Sequence, residues 1–324
     1  SRDIGWNYLQ SCLPNSIILN YGDNDTFPLW NNQEVYSVRP DVRIMNTSYL
    51  GGDWYIDQMK TAANEAQGVP FSLPKHKYTY MNDWVPIREV IDRAVDIREV
   101  VEFIRNEDPA SQIKLIDGTY ADYIPTRRLA IPVNKENAVA SGIVAEKDYD
   151  KMVDTVYMEL RGSSIDKNQL MLIDMLANFD WKRPLSFTQA HLMKDYGIVD
   201  YARFDGYAYT FVPIYTRYRS GSEAGYLDAD KLYPMYLGND PEVEPLYFGN
   251  LADDGVLVDY FYRFNITASR LRENFARVAT EFLRRGGEES IIKAEELLDR
   301  GIEVLPSKKI GYTHSNTQPY IRGY

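Results

Sequence analysis

The sequence predicts a mixed α/β protein. We expect a Rossmann-like β-α-β-α unit at the N-terminus with additional hairpin strands, followed by a helical, tetratricopeptide-like C-terminal segment. Two observations carry this prediction. Short apolar runs alternate with helix-start signals near the N-terminus, and beyond residue 256 apolar residues recur every three or four positions. The change in periodicity divides the chain into an α/β domain, residues 1–250, and a helical segment, residues 251–324.

The composition fits a folded chain and excludes several functional classes. The chain has 324 residues, with 36 Lys and Arg against 47 Asp and Glu, giving a formal net charge of −11. This acidic balance argues against nucleic-acid binding, which needs a basic face. The single cysteine, Cys12, excludes a disulfide framework and a Cys-based zinc site. The histidines lie far apart and form no pair of metal ligands at helical spacing; they are His76, His191 and His314. No cofactor is expected, and no residue is assigned as a metal ligand.

The N-terminal unit follows from turn residues placed between apolar runs. Residues 3–13 predict a helix that ends at a proline, and residues 16–20 and 42–46 predict buried strands. The sequence 22–26 then starts a helix that extends to about residue 38, and a second glycine–aspartate turn starts a helix over 54–65. Strands in this order should pair in parallel through a right-handed crossover.

The middle of the chain predicts shorter elements. The pair Asp117-Gly118 lies between two β-rich runs, which indicates a hairpin over residues 113–124. Apolar spacing predicts helices over 97–107 and 166–179. An ordered loop is expected over residues 68–90, and further strands over residues 128–133, 184–188 and 207–214, with 153–161 either a strand or a short helix.

The C-terminal segment predicts two helices. The first covers about residues 256–286 and ends at Gly286-Gly287. The second covers about 288–305, and its small and apolar residues stand at spacings typical of the second helix of a tetratricopeptide repeat; they are Ala294, Leu298, Gly301 and Pro306. Such a unit must pack on the α/β part or on further repeats.

The strongest candidate site is a polar cluster after the first strand. Open α/β sheets bind ligands at the carboxyl ends of their strands. The cluster follows residue 20, the last residue of the first predicted strand, and so lies at such an end. The candidate ligand-binding residues are Asp23, Asn24, Asp25, Thr26, Asp53 and Trp54. The cluster admits two interpretations. Its carboxylates could hold a hard cation, or its side chains could simply cap two helices.

Tyrosine is abundant, at 26 residues, and concentrated in residues 196–236 with interleaved arginines. Aromatic rings with polar tips suit sugar rings or a protein interface. The alternative, which we favour, is that these tyrosines lie at the boundary of the core, because tyrosine is commonly half-buried. No nucleophile–base arrangement and no phosphate-binding loop is visible in the sequence, so the residues alone indicate no catalytic group.

Several segments together resemble a known family. They are residues 7–15, 21–30, 39–44, 53–58, 178–184 and 206–213, and the most specific is Tyr21-Gly-Asp-Asn-Asp-Thr-Phe-Pro-Leu-Trp30. In this order they resemble the soluble C-terminal part of a family of large multi-spanning envelope proteins of long-unknown function. That family is similar to the protein O-mannosyltransferases, which use lipid-linked sugars.

The resemblance implies a division of labour between two parts of a longer polypeptide. Sugar transfer would take place in a membrane-embedded half, and the soluble part would lie at the periplasmic face of the inner membrane. Its partners would be the membrane-embedded part of the same polypeptide and an acceptor protein or glycan, without nucleic acid. No catalytic residue is carried over to this chain, whose own status as an enzyme stays open.

Three hypotheses for function follow. The first is an extracytoplasmic, non-catalytic domain of a membrane glycosyltransferase-like protein that binds an acceptor or partner. The second is a metal- or ligand-binding α/β enzyme domain, which requires Asp23, Asp25 and Asp53 to converge on one point. The third is a protein-interaction module built on the C-terminal helices, which requires an exposed face near residues 275–305.

Overall fold

The computed structural model describes residues 2–79, 83–106, 109–218, 224–260 and 268–312. Within them the chain is a mixed α/β protein with several sheets and C-terminal helices. The helices are α1 (Arg2–Gln10), α2 (Asp23–Tyr36), α3 (Asp53–Met59), α4 (Ile97–Arg105), α5 (Lys135–Ala140), α6 (Lys167–Asn178), α7 (Ala190–Asp195), α8 (Ala229–Leu237), α9 (Ala268–Arg285) and α10 (Glu288–Val304).

The strands form one large sheet and three small ones. The strands are β1 (Ile17–Asn20), β2 (Arg43–Asn46), β3 (Trp84–Pro86), β4 (Val95–Asp96), β5 (Gln112–Lys114), β6 (Tyr120–Asp122), β7 (Arg128–Pro132), β8 (Thr155–Glu159), β9 (Ser164–Asp166), β10 (Leu185–Phe187), β11 (Ala202–Phe204), β12 (Tyr209–Phe211) and β13 (Tyr226–Leu227). The small sheets pair β3 with β9, β5 with β6, and β4 with β7 and β8.

The six-stranded sheet has the order β13-β11-β12-β10-β1-β2. The predicted β-α-β-α order is present, and β1 pairs in parallel with β2. On its other side β1 pairs in parallel with β10. Strand β10 pairs antiparallel with β12, which in turn pairs antiparallel with β11. The sheet is therefore mixed, and the Rossmann-like class stays a prediction. Because β1, β2 and β10 run in the same direction, they end at one edge, which we call the carboxyl edge.

Two apolar clusters cover the two faces of this sheet. The side chains of Ile17 and Leu19 belong to the cluster that includes helices α3, α4 and α6. The side chain of Ile18 belongs to the second cluster, which includes α1, α2, α8, α9 and α10. This alternation is the expected pattern for a strand covered on both faces. The second cluster crosses residue 250, so the division of the chain there stays a prediction.

The close approach of α1 and α2 depends on one glycine. A Cβ at Gly5 would lie 2.1 Å from the carbonyl oxygen of Pro28, so only glycine fits there. Asn32 supports the crossing, since its Nδ2 donates to the carbonyls of Pro28 and Arg2, each at 2.8 Å. Pro28 lies in the second turn of α2 rather than the first, and it cannot donate to the carbonyl of Asn24.

Several predicted boundaries were wrong. The helix expected over 54–65 ends at Met59, because Asn64 adopts a left-handed backbone, Ala63 and Ala66 pair across that turn, and the N–H of Glu65 donates to the carbonyl of Pro40 instead of continuing the helix. The long C-terminal helix does not begin at 256: residues 256–259 are not helical, Tyr260 is helical, 261–267 lie outside the described residues, and the described part of α9 is Ala268–Arg285. The loop expected over 68–90 contains strand β3.

The C-terminal helices pack inward. Side chains on α9 and α10 that were predicted to form an interaction face are buried, among them Phe275, Phe282 and Leu298. This burial counts against an exposed concave face along residues 275–305. The tetratricopeptide-like class itself stays a prediction.

Burial of the only cysteine gives a simple test of the packing between α1 and the sheet. Cys12 is 6% exposed, and burial raises the pKa of its thiol to about 12. Since the thiolate is the reactive form, we expect the native protein to react with a thiol reagent about a thousandfold more slowly than an exposed cysteine near neutral pH. Reaction with Ellman's reagent should become fast only with unfolding in urea. Fast stoichiometric reaction in native buffer would contradict this packing.

Candidate functional site

Asp25 joins three elements at the carboxyl edge. Its side chain extends from the first turn of α2 and is almost completely buried. Its Oδ2 accepts hydrogen bonds from Thr188 Oγ1 at 2.7 Å and Gln189 Nε2 at 2.8 Å. The hydroxyl of Tyr8, on α1, donates to Oδ1 at 3.3 Å. Asp25 thus fixes α2 against the end of β10 and against α1.

Thr26 joins the ends of the two N-terminal strands. Its hydroxyl donates to the carbonyl of Gly22 at 2.6 Å and accepts from Asn46 Nδ2 at 2.9 Å. It also accepts a hydrogen bond from Asn20 Nδ2. Asn20 and Asn46 are the last residues of β1 and β2, so one hydroxyl holds both strand ends beneath the first turn of α2. This buried network joins the ends of β1 and β2 to the start of α2.

Asp53 is paired separately. Lys167 Nζ donates to Asp53 Oδ1 at 2.8 Å and lies 2.7 Å from Asp83 Oδ1. The Lys167 side chain is 4% exposed, and burial opposes its charge, but the bonds with Asp53 and Asp83 outweigh burial and raise its pKa. The contact fixes the start of α3 to the start of α6.

Asp23 and Asn24 are exposed in the first turn of α2. Neither side chain caps the helix. The N-cap position is occupied by Gly22, with φ 72°, and glycine has no side chain that could accept a hydrogen bond from the first turn. Gly52 stands at the same position before α3. The capping interpretation was therefore wrong for these side chains. The carboxylates still lie where the helix dipole favours negative charge.

The predicted carboxylates do not form a metal centre. Asp25 binds side chains of α1 and the segment after β10, whereas Asp53 binds Lys167. Within the part of the chain that the structure describes, no group of three His, Cys, Asp or Glu side chains is placed to hold a metal ion. The structure therefore brings Asp25 and Thr26 into one network, leaves Asp23 and Asn24 exposed, and holds Asp53 apart.

An aromatic ridge crosses the carboxyl edge from α2 to α3. We define it by Phe27, Trp30, Tyr49 and Trp54, whose successive ring centroids are 6.1, 6.3 and 6.3 Å apart. Its two ends are open to solvent, since Phe27 is 54% and Trp54 64% exposed. Trp30 and Tyr49 are half-buried between them. Tyr21, at the end of β1, is also exposed.

Two cavities open near the sheets. The β2-edge cavity, of about 310 Å³, lies along the outer edge of β2 between α2 and α3. It contacts the ridge at Trp30, and Arg43 and Glu34 contribute charged groups to its wall. A second cavity, of about 590 Å³, lies beside residues 176–181. There Asp180 and Trp181 both adopt left-handed backbone angles, with φ 45° and 56°.

Most of the tyrosines in residues 196–236 belong to the core boundary, as the favoured interpretation expected. Tyr196, Tyr201, Tyr207 and Tyr236 are buried, whereas Tyr215 is exposed. Burial raises the pKa of Tyr196 to about 12. This segment therefore contributes packing more than a continuous aromatic surface.

No local sequence signal marks the partners that complete the network. Thr188 and Gln189 follow β10, and only the position of β10 beside β1 brings them to Asp25. The parallel-strand rule could have suggested them, since all three strands end at one edge. Lys167 carried no local signal, because its partner Asp53 lies more than a hundred positions away in the sequence.

Comparison with known proteins identifies the family. The family model described as TMEM260-associated domain 2 matches residues 1–231. The chain belongs to this family. The match includes the six-stranded sheet, the network around Asp25 and Thr26, and the aromatic ridge. It identifies the chain as a domain of a membrane-protein family.

No curated protein and no solved structure matched the chain. Among the described residues, no helix combines the length and the apolar character that crossing a membrane requires.

Proposed function

We propose that this chain is the extracytoplasmic, non-catalytic binding domain of a membrane glycosyltransferase-like protein at the periplasmic face of the inner membrane. Its contact surface is the aromatic ridge together with the exposed first turn of α2. The surface receives an acceptor protein and faces the membrane-embedded part of the same polypeptide. The observation that carries the proposal is the exposure of Phe27 and Trp54 at the carboxyl edge of the sheet.

The ridge has the properties of a recognition surface. Aromatic side chains are enriched at the centres of protein interfaces, where few residues contribute most of the binding energy. Here the exposed rings rest on Trp30 and Tyr49, so they lose little freedom on binding. The exposed Asp23 and Asn24 lie next to them on α2 and supply a polar rim.

The carboxylates of the same edge have structural partners. Asp25 is enclosed by Tyr8, Thr188 and Gln189, and Asp53 is paired with Lys167. A metal-assisted enzyme would need these groups to face one reacting atom. The hypothesis of a metal-assisted enzyme domain therefore has less support than the hypothesis of a binding domain. Membership in a membrane-protein family, together with the resemblance to O-mannosyltransferase-like proteins, supports the wider context.

The test compares variants of the full-length protein in lipid vesicles, with a lipid-linked sugar donor and a polypeptide acceptor. The double variant Phe27→Ala, Trp54→Ala should raise the KM for acceptor about tenfold with little change in kcat, because it removes binding and not chemistry. Trp84→Ala, at another exposed tryptophan, is the matched control. The isolated 324-residue chain should transfer no sugar. Turnover by that chain, or an unchanged KM in the double variant, would overturn the proposal.

A further inference from the structure

We propose that the β2-edge cavity binds a neutral saccharide. The cavity lies outside the last strand of the six-stranded sheet, between α2 and α3. Its polar wall is formed by Gln33, Glu34, Arg43, Gln58 and Asn64. The cavity shares Trp30 with the aromatic ridge, but Phe27 and Trp54, the residues that test the acceptor-binding role, do not line it, so the two proposals can fail separately.

One wall of the cavity is an aromatic ring held in place. Trp30 is half-buried, and its ring lies between those of Phe27 and Tyr49. Small-ligand sites combine such apolar and aromatic walls with a few convergent polar groups. The C–H face of a sugar ring can pack on an indole, while its hydroxyls reach the polar side chains around it.

The polar groups on the wall have complementary hydrogen-bonding capacities. An ionised Glu34 only accepts; Asn64 Nδ2 donates to its Oε1 at 3.1 Å, which leaves further lone pairs. Arg43 only donates, and its Nη2 binds the carbonyl of Gln58 at 3.0 Å. The Arg43 residue is 5% exposed, and its Nε has no hydrogen-bond partner among the described residues.

The charges on the wall select the class of ligand. Glu34 and Arg43 both line the cavity, yet within the described part of the chain they form no ion pair with each other. An anionic ligand would be attracted by Arg43 but repelled by Glu34, and a cationic ligand would meet the reverse, so the wall favours neither sign of charge. A hydroxyl group can donate to the first and accept from the second, so a neutral polyhydroxylated ring satisfies both. A volume of about 310 Å³ has room for one such ring and lies at the small end of ligand sites.

The experiment titrates the 324-residue chain with the methyl glycosides of glucose, galactose and mannose, followed by calorimetry and by chemical shifts of tryptophan indole N–H groups. Glucuronate and glucosamine serve as the anionic and cationic analogues. We expect saturable binding of at least one glycoside and weaker binding of both charged analogues. Glu34→Ala should weaken glycoside binding about tenfold, whereas Asn31→Ala, on an exposed part of α2 outside the cavity, should leave it unchanged.

Glu34 is exposed, so its replacement should preserve the fold, which thermal unfolding of the variant checks. Glu34→Gln should improve glucuronate binding relative to the wild type by removing the repulsion. The proposal is overturned if none of the three glycosides binds, if Glu34→Ala behaves like Asn31→Ala, or if glucuronate binds the wild type as well as the glycosides do.

Discussion

Replacing Asp205 with alanine is expected to destabilise the protein by roughly 3–5 kcal/mol, because it leaves a buried guanidinium without its counter-charge. Asp205 is 2% exposed and accepts hydrogen bonds from Arg203 Nε at 2.9 Å and Nη2 at 3.0 Å. Thr210 and Lys231 also donate to it. Burial opposes the charge of Asp205, but Arg203 and Lys231 outweigh burial and lower its pKa.

Urea unfolding of the variant and the wild type measures this cost. The control is Arg128→Ala, which removes an exposed ion pair with Asp92 and should cost less than about 1 kcal/mol. Since the pKa of Asp205 is lowered on folding, its contribution is present above the ordinary carboxyl pKa and is lost as the pH falls through the folded value. A loss below about 1 kcal/mol in Asp205→Ala would contradict a buried, fully paired carboxylate.

Replacing Asp25 with alanine should cost about 2–3 kcal/mol, since it leaves the buried hydroxyl of Thr188 and the half-buried amide of Gln189 without their acceptor. The matched control is Asp23→Ala, two residues earlier in the same turn of α2, where the side chain is exposed. That change should cost less than about 0.5 kcal/mol. Equal losses in the two variants, measured by urea unfolding, would mean that Asp25 contributes through the helix dipole and not through the network.

Local signals in the sequence predicted the N-terminal order of elements well. The strand ending at Asn20, the turn at Gly22 and the hairpin at Asp117-Gly118 each depend on neighbours within a few positions. The end of α3 at Met59 depended on long-range contacts instead. Beyond it, the N–H of Glu65 donates to the carbonyl of Pro40 and Asn64 adopts a left-handed backbone, and the helical periodicity of residues 54–65 reveals neither.

Only part of the candidate site could be predicted, because the rest depends on long-range contacts. The cluster at Asp25 and Thr26 was placed at a strand end by its own segment. Its partners after β10, and the Lys167 that pairs with Asp53, depend on the order of strands and the packing of α6. The β2-edge cavity needed the relative position of α2 and α3, and Arg43 and Glu34 gave no sign in the sequence of sharing one wall.

The central claim is that the aromatic ridge is the contact surface of this domain. The most direct test places a photo-crosslinking benzoylphenylalanine at position 54 of the full-length protein in its membrane, with position 84 as the control. Trp54 and Trp84 are both exposed, but only Trp54 belongs to the ridge. We predict crosslinks from position 54 to the membrane-embedded part of the same polypeptide or to the acceptor, and few from position 84. Equal yields from both positions, or none from position 54, would contradict the claim.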